Sequence, residues 1–190
     1  MKGKFMSTVK RVLYMVGDKV SLGILVPEDA ERLAHWVNQA ELRQFLSIYL
    51  PMSPGQEREW IENLPKRQPN DFVFAIVKND DHHTHIGNIG LHRINYKDRR
   101  CSAGIFIGDQ AERENGQGRE VAKLLKIFAF DTLNLRKIQH EAIAANQRSI
   151  ALAKSLGGIE EGVFKDHFYI DGKYHDVVSY AIFKSGLKPR

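Results

Sequence analysis

Arg113, Gly116, Gly118 and Arg119 form the passage of this chain whose residue types and spacing best suit a chemical task. They follow the apolar, β-branched run Ile105-Phe106-Ile107 and precede a helical stripe of Val121, Leu124, Leu125 and Phe128. A strand that passes through a glycine turn into a helix presents unpaired backbone N–H groups at the positive end of the helix dipole, which suits a phosphate. Glycines at 116 and 118 remove the Cβ atoms that would keep a ligand from the backbone. Arg119 in the first turn opposes the dipole and makes sense where an anion sits. A dinucleotide fingerprint needs a third glycine where Val121 stands, and a phosphate-cradling P-loop needs Gly-Lys before Ser or Thr, which the chain lacks.

Other reactive residue types are less well placed. His82, His83 and His85 fall in a polar turn without a cysteine or carboxylate at metal-ligand spacing, so a solvated turn is expected and no metal. Cys101 stands alone, has no readable histidine partner, and reads as a packed strand residue. Asn146 precedes a helical segment and has the position of an N-cap.

The elements that must hold the glycine turn follow from patterning. The 190 residues are 43% hydrophobic and 27% charged, the balance of one folded domain. Residues 1–19 read as an extension and 20–186 as the domain. Strands are expected at 20–26, 72–77, 86–94, 101–108, 137–144, 163–169 and 174–183. Helices are expected from Pro27, from Ser53 where Ser53-Pro54-Gly55-Gln56 has the form of a capping box, from the glycine turn to about Leu133, and over 147–156. Gly157-Gly158 is a helix stop, and Asp171-Gly172 a hairpin turn. A strand meander followed by strand–helix alternation gives an α/β architecture: one mixed, mainly antiparallel sheet of six or seven strands with helices on both faces. The single cysteine fits the cytoplasm, and no apolar stretch is long enough for a membrane helix. The net charge of +5 comes without a block of like charges, which disfavours nucleic acid as a partner.

The passage Arg113-Glu114-Asn115-Gly116-Gln117-Gly118 resembles the Gln/Arg-x-x-Gly-x-Gly/Ala signature of the GCN5-related N-acetyltransferases. Leu133-Asn134-Leu135-Arg136-Lys137-Ile138, the run Asn146 with Ser149-Ile150-Ala151-Leu152 and Leu156-Gly157, the hairpin from His167 to Val177 and the early Pro27-Glu28-Asp29-Ala30 resemble further family stretches in the same order. The likeness is closest to the ribosomal-protein and spermidine acetyltransferase branch and covers about residues 20–184.

The resemblance implies splayed central strands, acetyl-CoA as co-substrate and direct transfer of its acetyl group to a primary amine, on a protein N-terminus or a small molecule. The pantetheine arm would lie along Ile105, Phe106 and Ile107. The pyrophosphate would take N–H groups from Arg113, Glu114, Asn115, Gly116, Gln117, Gly118 and Arg119. Asn146 would bond the pantetheine, with Ser149 and Lys154 near the adenosine. The family's usual glutamate and tyrosine are replaced by Ser102 and Ala153. Glu141 is then the side chain to test as a base, with His140 on the opposite side of the same strand. Tyr169 and Tyr174 read as packing residues, and Trp36 and Trp60 as core anchors of the helices over the acceptor cleft. An amino-sugar or polyamine acceptor, a non-catalytic acyl-CoA-binding module and a homodimer stay open.

Overall fold

A computed structural model of the chain describes residues 11–185, except 47, 49, 81 and 114. Among the described residues eight strands form a single sheet: β1 (Leu13–Val16), β2 (Val20–Gly23), β3 (Phe72–Lys78), β4 (His85–Asn95), β5 (Arg100–Ile107), β6 (Lys137–Ile143), β7 (Ile159–Ile170) and β8 (Lys173–Phe183). Their spatial order is β1-β2-β3-β4-β5-β6-β8-β7. Every pairing is antiparallel except β5 with β6, which are joined through a helix, as a parallel crossover requires. The strand beyond the expected six or seven is β1, which lies inside the segment read as an extension and pairs with β2.

The α-helices of the described residues that cover the sheet are α1 (Ala30–Val37), α2 (Ala40–Arg43), α3 (Pro54–Arg67), α4 (Gln117–Ile127) and α5 (Gln147–Ser155). Local chemistry sets their ends. A 3-10 turn at Pro27–Asp29 leads into α1. Ser53 and Gln56 form the capping box of α3, with Ser53 Oγ accepting from Gln56 N at 3.2 Å and Gln56 Oε1 accepting from Ser53 N at 2.9 Å. Asn146 caps α5 through Ser149 N at 3.1 Å. Asp171 and Gly172 both take positive φ, 48° and 84°, the turn that matches the twist of a hairpin.

Alternation along the strands separates two faces. On one face Val20, Leu22, Ile76, Ile89, Leu91 and Ile138 pack against Val121, Leu125 and Phe128 of the α4 segment. Ala142 continues this face under Ile150 and Ala153 of α5. On the other face Ala75 and Val77 pack against Leu33 and Trp36 of α1 and Ile61 of α3.

A buried ion pair anchors α1. Burial by itself would raise the Asp29 carboxyl, but hydrogen bonds from His85 and Arg11 outweigh it and hold it far below the carboxylate range. Arg11 Nη1 donates to Asp29 Oδ2 at 2.8 Å and His85 Nδ1 lies 3.0 Å from Oδ1. His85 is therefore a core residue of β4, 3% exposed, and not part of a solvated turn; His82 and His83 are the exposed ones.

Candidate active site

The parallel ladder between β5 and β6 runs only from Arg100↔Lys137 to Ala103↔His140. Beyond it β5 continues to Ile107 and β6 to Ile143 with no pairing between them. The splay thus begins after Ala103, in the middle of the strand expected at 101–108. His140 sits at its root: buried, 2.7 Å from Ser149 Oγ through Nε2, and hydrogen-bonded to the Ala103 backbone. Burial lowers the His140 pKa and keeps the ring neutral. It links β5, β6 and α5 at the point where the strands part.

Gly108 N donates to Ile86 O at 2.8 Å. By the alternation of an antiparallel ladder, Phe106 also turns its backbone toward β4, while Ile105 and Ile107 turn theirs toward the open side. Of the three strand residues expected to meet a ligand by backbone, two are so oriented. Phe106 packs its ring against Trp36, at 6.3 Å between centroids. The indole of Trp36, in turn, occupies the place where a Cβ on Gly108 would stand. Trp36 is 5% exposed and Trp60 partly buried, both as core anchors.

Arg113 folds back on the strand, donating from Nε to Ile107 O at 3.0 Å and from Nη2 to Gly108 O at 3.1 Å. Its guanidinium fastens the loop to the end of β5. Gly116 has φ of 80° as the N-cap of α4, a conformation glycine adopts without strain. Gly118 faces open space, because a Cβ built on it would meet only Ile107 Cδ1 at 3.6 Å. Asn115 and Arg119 are exposed at the mouth, and Glu114 lies outside the described residues.

Gln117, expected to offer only its backbone N–H, also has a buried side chain, which donates from Nε2 to Glu112 Oε2 at 3.2 Å. Its Oε1 is buried with no hydrogen-bond partner among the described residues. A buried orphan acceptor beside unpaired helix N–H groups is an incomplete polar site. A bare helix mouth, a backbone lacking two Cβ atoms and an open strand edge fit an extended, phosphorylated ligand.

The two faces of the splay differ. On the α4/α5 face a cavity of about 30 Å³ is walled by Ile105, Leu125, His140, Leu152, Ala153 and Leu156. Ala153 is 1% exposed there, too short to reach a reacting group. The opposite face is polar and half open. Ser102, Gly104, Gln139 and Glu141 point to it by alternation, Gln139 Nε2 donating to Glu141 Oε1 at 3.0 Å. Ser102 Oγ donates to His92 O at 3.1 Å, and the His92 ring overhangs Gly104. Arg43 of α2 and Asp171 at the hairpin tip lie 3.7 Å apart.

Tyr169 and Tyr174 pair on the hairpin arm with tilted rings, 5.0 Å between centroids, and remain largely exposed. Lys154 is exposed on α5. Cys101 is buried, and burial pushes its thiol up to about 12, which makes it a packing residue and no nucleophile. Among the described residues no cluster of three or more His, Cys, Asp or Glu is placed to hold a metal ion. None of their helices is long and apolar enough to cross a membrane.

Residues 20–159 match the acetyltransferase (GNAT) domain. The chain is 28% identical over 176 residues to a putative ribosomal N-acetyltransferase, YdaF, of Bacillus subtilis, covering 89% of this chain and 93% of that one. It is 31% identical over 100 residues to a spermidine N(1)-acetyltransferase of Vibrio cholerae, but across only 53% of this chain and 57% of the relative. A crystal structure titled a probable acetyltransferase superposes with a TM-score of 0.82 at 27% identity, over 91% of this chain and 97% of its own.

Proposed function

We propose an acceptor and a set of ligand contacts for a chain that belongs to the GNAT acetyltransferase family and is an acetyl-CoA-dependent N-acetyltransferase. The acceptor we infer is the N-terminal amine of a protein. The observation that supports this is a sequence likeness to a putative ribosomal N-acetyltransferase along almost the whole chain. The half-open groove on the Ser102/Glu141 face supports it, since an extended peptide end needs an open approach.

The pyrophosphate is read at the backbone N–H groups of Asn115, Gly116, Gln117, Gly118 and Arg119, at the dipole end of α4. Arg113 shapes that loop rather than holding the ligand, because its guanidinium is spent on Ile107 O and Gly108 O. The pantetheine amides run along Ile105 and Ile107. Asn146 and Ser149 border the opposite wall, each already holding one hydrogen bond within the protein. Lys154 on α5 supplies a cation for the phosphorylated adenosine end. Acetyl-CoA supplies the activated acyl group. The protein aligns the thioester with the amine, and alignment alone is worth several orders of magnitude.

The 12 residues of β7, exposed nearly throughout, form a long free sheet edge, which supports a homodimer as the assembly. The cytoplasm is the compartment inferred for a chain with one buried thiol. The test is release of free coenzyme A from acetyl-CoA with a panel of amines. Peptides with a free N-terminal amine should support release and their N-blocked copies should not. Release with spermidine or an amino sugar alone would replace the acceptor.

A further inference from the structure

Ser102 stands on β5 where the family's base is expected, yet its hydroxyl is turned back on the neighbouring strand. Directly across from it on β4, in register, is His92. Both lie on the open face of the splay. A Cβ built on Gly104 would come within 3.8 Å of His92 Nε2, so the imidazole hangs over the first residue of β5 that has lost its β6 partner. The other ring nitrogen, Nδ1, lies 3.6 Å from Asp71 Oδ1. That separation is long for a hydrogen bond, as such contacts often are before substrate tightens them.

Asp71 is itself firmly placed. Arg67, at the end of α3, donates from Nε to its Oδ2 at 2.8 Å, and Arg93 N donates to its Oδ1 at 3.0 Å. Arg93 has φ of 53°, and the β4–β5 register shifts between His92 and Asn95. A bulge of this kind redirects the side chain next to it. Here the same carboxylate holds the bulge and faces the histidine. The charged groups acting on the ring are Asp71, Arg67 and Arg93, and Gly90 and Gly104 lie beneath it.

We propose that His92, oriented by Asp71, is the general base of acetyl transfer. The proposal rests on the acetyl-transfer reading of the site. An ammonium acceptor loses its first proton to solvent. As its nitrogen forms the C–N bond with the acetyl carbon, the remaining excess proton passes to His92 Nε2. The C–S bond breaks with its electron pair going to sulfur, and the imidazolium returns the proton to the thiolate. Burial and the two arginines depress the His92 pKa, with Asp71 opposing, so the ring is neutral and able to accept a proton at neutral pH. Glu141 lies on the same open face, but on β6, with its carboxylate bonded by Gln139.

The experiment compares wild type with His92→Gln, Asp71→Asn and Glu141→Gln. His92 is half exposed, so its variant should fold; acetyl-CoA affinity by calorimetry should be unchanged in it. Its kcat should fall by about 10²-fold or more. The acidic limb of the kcat profile should vanish in His92→Gln and remain in Glu141→Gln. In wild type that limb should coincide with the His92 imidazole titration followed by NMR, at a value below an ordinary histidine. Asp71→Asn should move that titration further down. A His92→Gln enzyme with near-native kcat and an intact acidic limb, or a His92 titration unmoved by Asp71→Asn, overturns the proposal. A wild type that binds acetyl-CoA but releases no coenzyme A with any amine overturns the acetyl-transfer reading itself, and the base with it.

Discussion

Gly118 shows how one missing side chain separates folding from binding. Its backbone is not in the left-handed region, and a Cβ there would touch only Ile107 Cδ1 at an ordinary 3.6 Å. A branched side chain therefore fits the protein and intrudes only on the space at the mouth of α4. Gly118→Val should keep its unfolding free energy within about 0.5 kcal/mol of wild type, the range of substitutions that disturb no packing. Its affinity for acetyl-CoA, measured by calorimetry, should drop by at least tenfold. Equal affinity in a folded variant would remove the pyrophosphate from this turn. Gly116 makes the contrast: at φ of 80°, any side chain there strains the turn before a ligand is considered.

At the scale of elements, the helices over the open face depend on charge as much as on apolar burial. Asp29 and Arg11 are each 4% exposed at the side chain, with His85 at 1%. Removing one partner leaves a buried charge uncompensated, a loss of about 3–5 kcal/mol. Asp29→Asn should lose that much in urea unfolding at pH 7. A carboxyl depressed in the folded state stabilises above its unfolded value of about 3.9. The gap between variant and wild type should therefore close as pH falls below that value. Glu57 on α3 is the opposite case. Burial raises its pKa above the usual glutamate value, so the folded state is penalised increasingly as pH rises through that range. Glu57→Gln should raise the melting temperature at pH 7 and leave it unchanged near pH 3. A lower melting temperature at pH 7 would show that the carboxylate has a partner to lose. The caps at Ser53 and Asn146 and the Asp171-Gly172 turn were readable because each is decided within four residues. The splay after Ala103 was not. It depends on His140 meeting Ser149 and the Ala103 backbone, and no local pattern records where a ladder between distant strands stops. Nor could the meeting of His92 with Asp71, brought together by a β3–β4 hairpin and a bulge, be read from spacing.

At the scale of the molecule, the sheet begins earlier than the apolar patterning from Val20 onward suggests. Four residues of alternating exposure, Leu13 to Val16, carry too weak a period to mark a strand, yet they cover the outer edge of β2. Tyr14 stacks on Phe74 at 5.5 Å and meets Phe128 edge-on at 5.5 Å, joining the edge of the sheet to the main core. Arg11 supplies the partner of Asp29 from the same stretch, and Ile24 N donates to Val12 O at 2.9 Å. Glu120 of α4 accepts from Lys19 N at 2.8 Å, which ties the β1–β2 turn to the helix at whose N-terminus the pyrophosphate is proposed to sit. We therefore place the start of the folding unit at or before Arg11, rather than at Val20. Two truncations isolate the segment: one that removes residues 1–10, and one that removes 1–17. The longer truncation strips the β2 edge bare, leaves Asp29 without its guanidinium and uncovers Phe74. It should lie at least about 3 kcal/mol below the shorter one in urea unfolding, the cost of the broken buried pair alone. With a strand edge newly open, it should also self-associate in sedimentation as its concentration rises. Equal unfolding midpoints for the two truncations would show that residues 11–17 are an appendage and return the boundary to Val20.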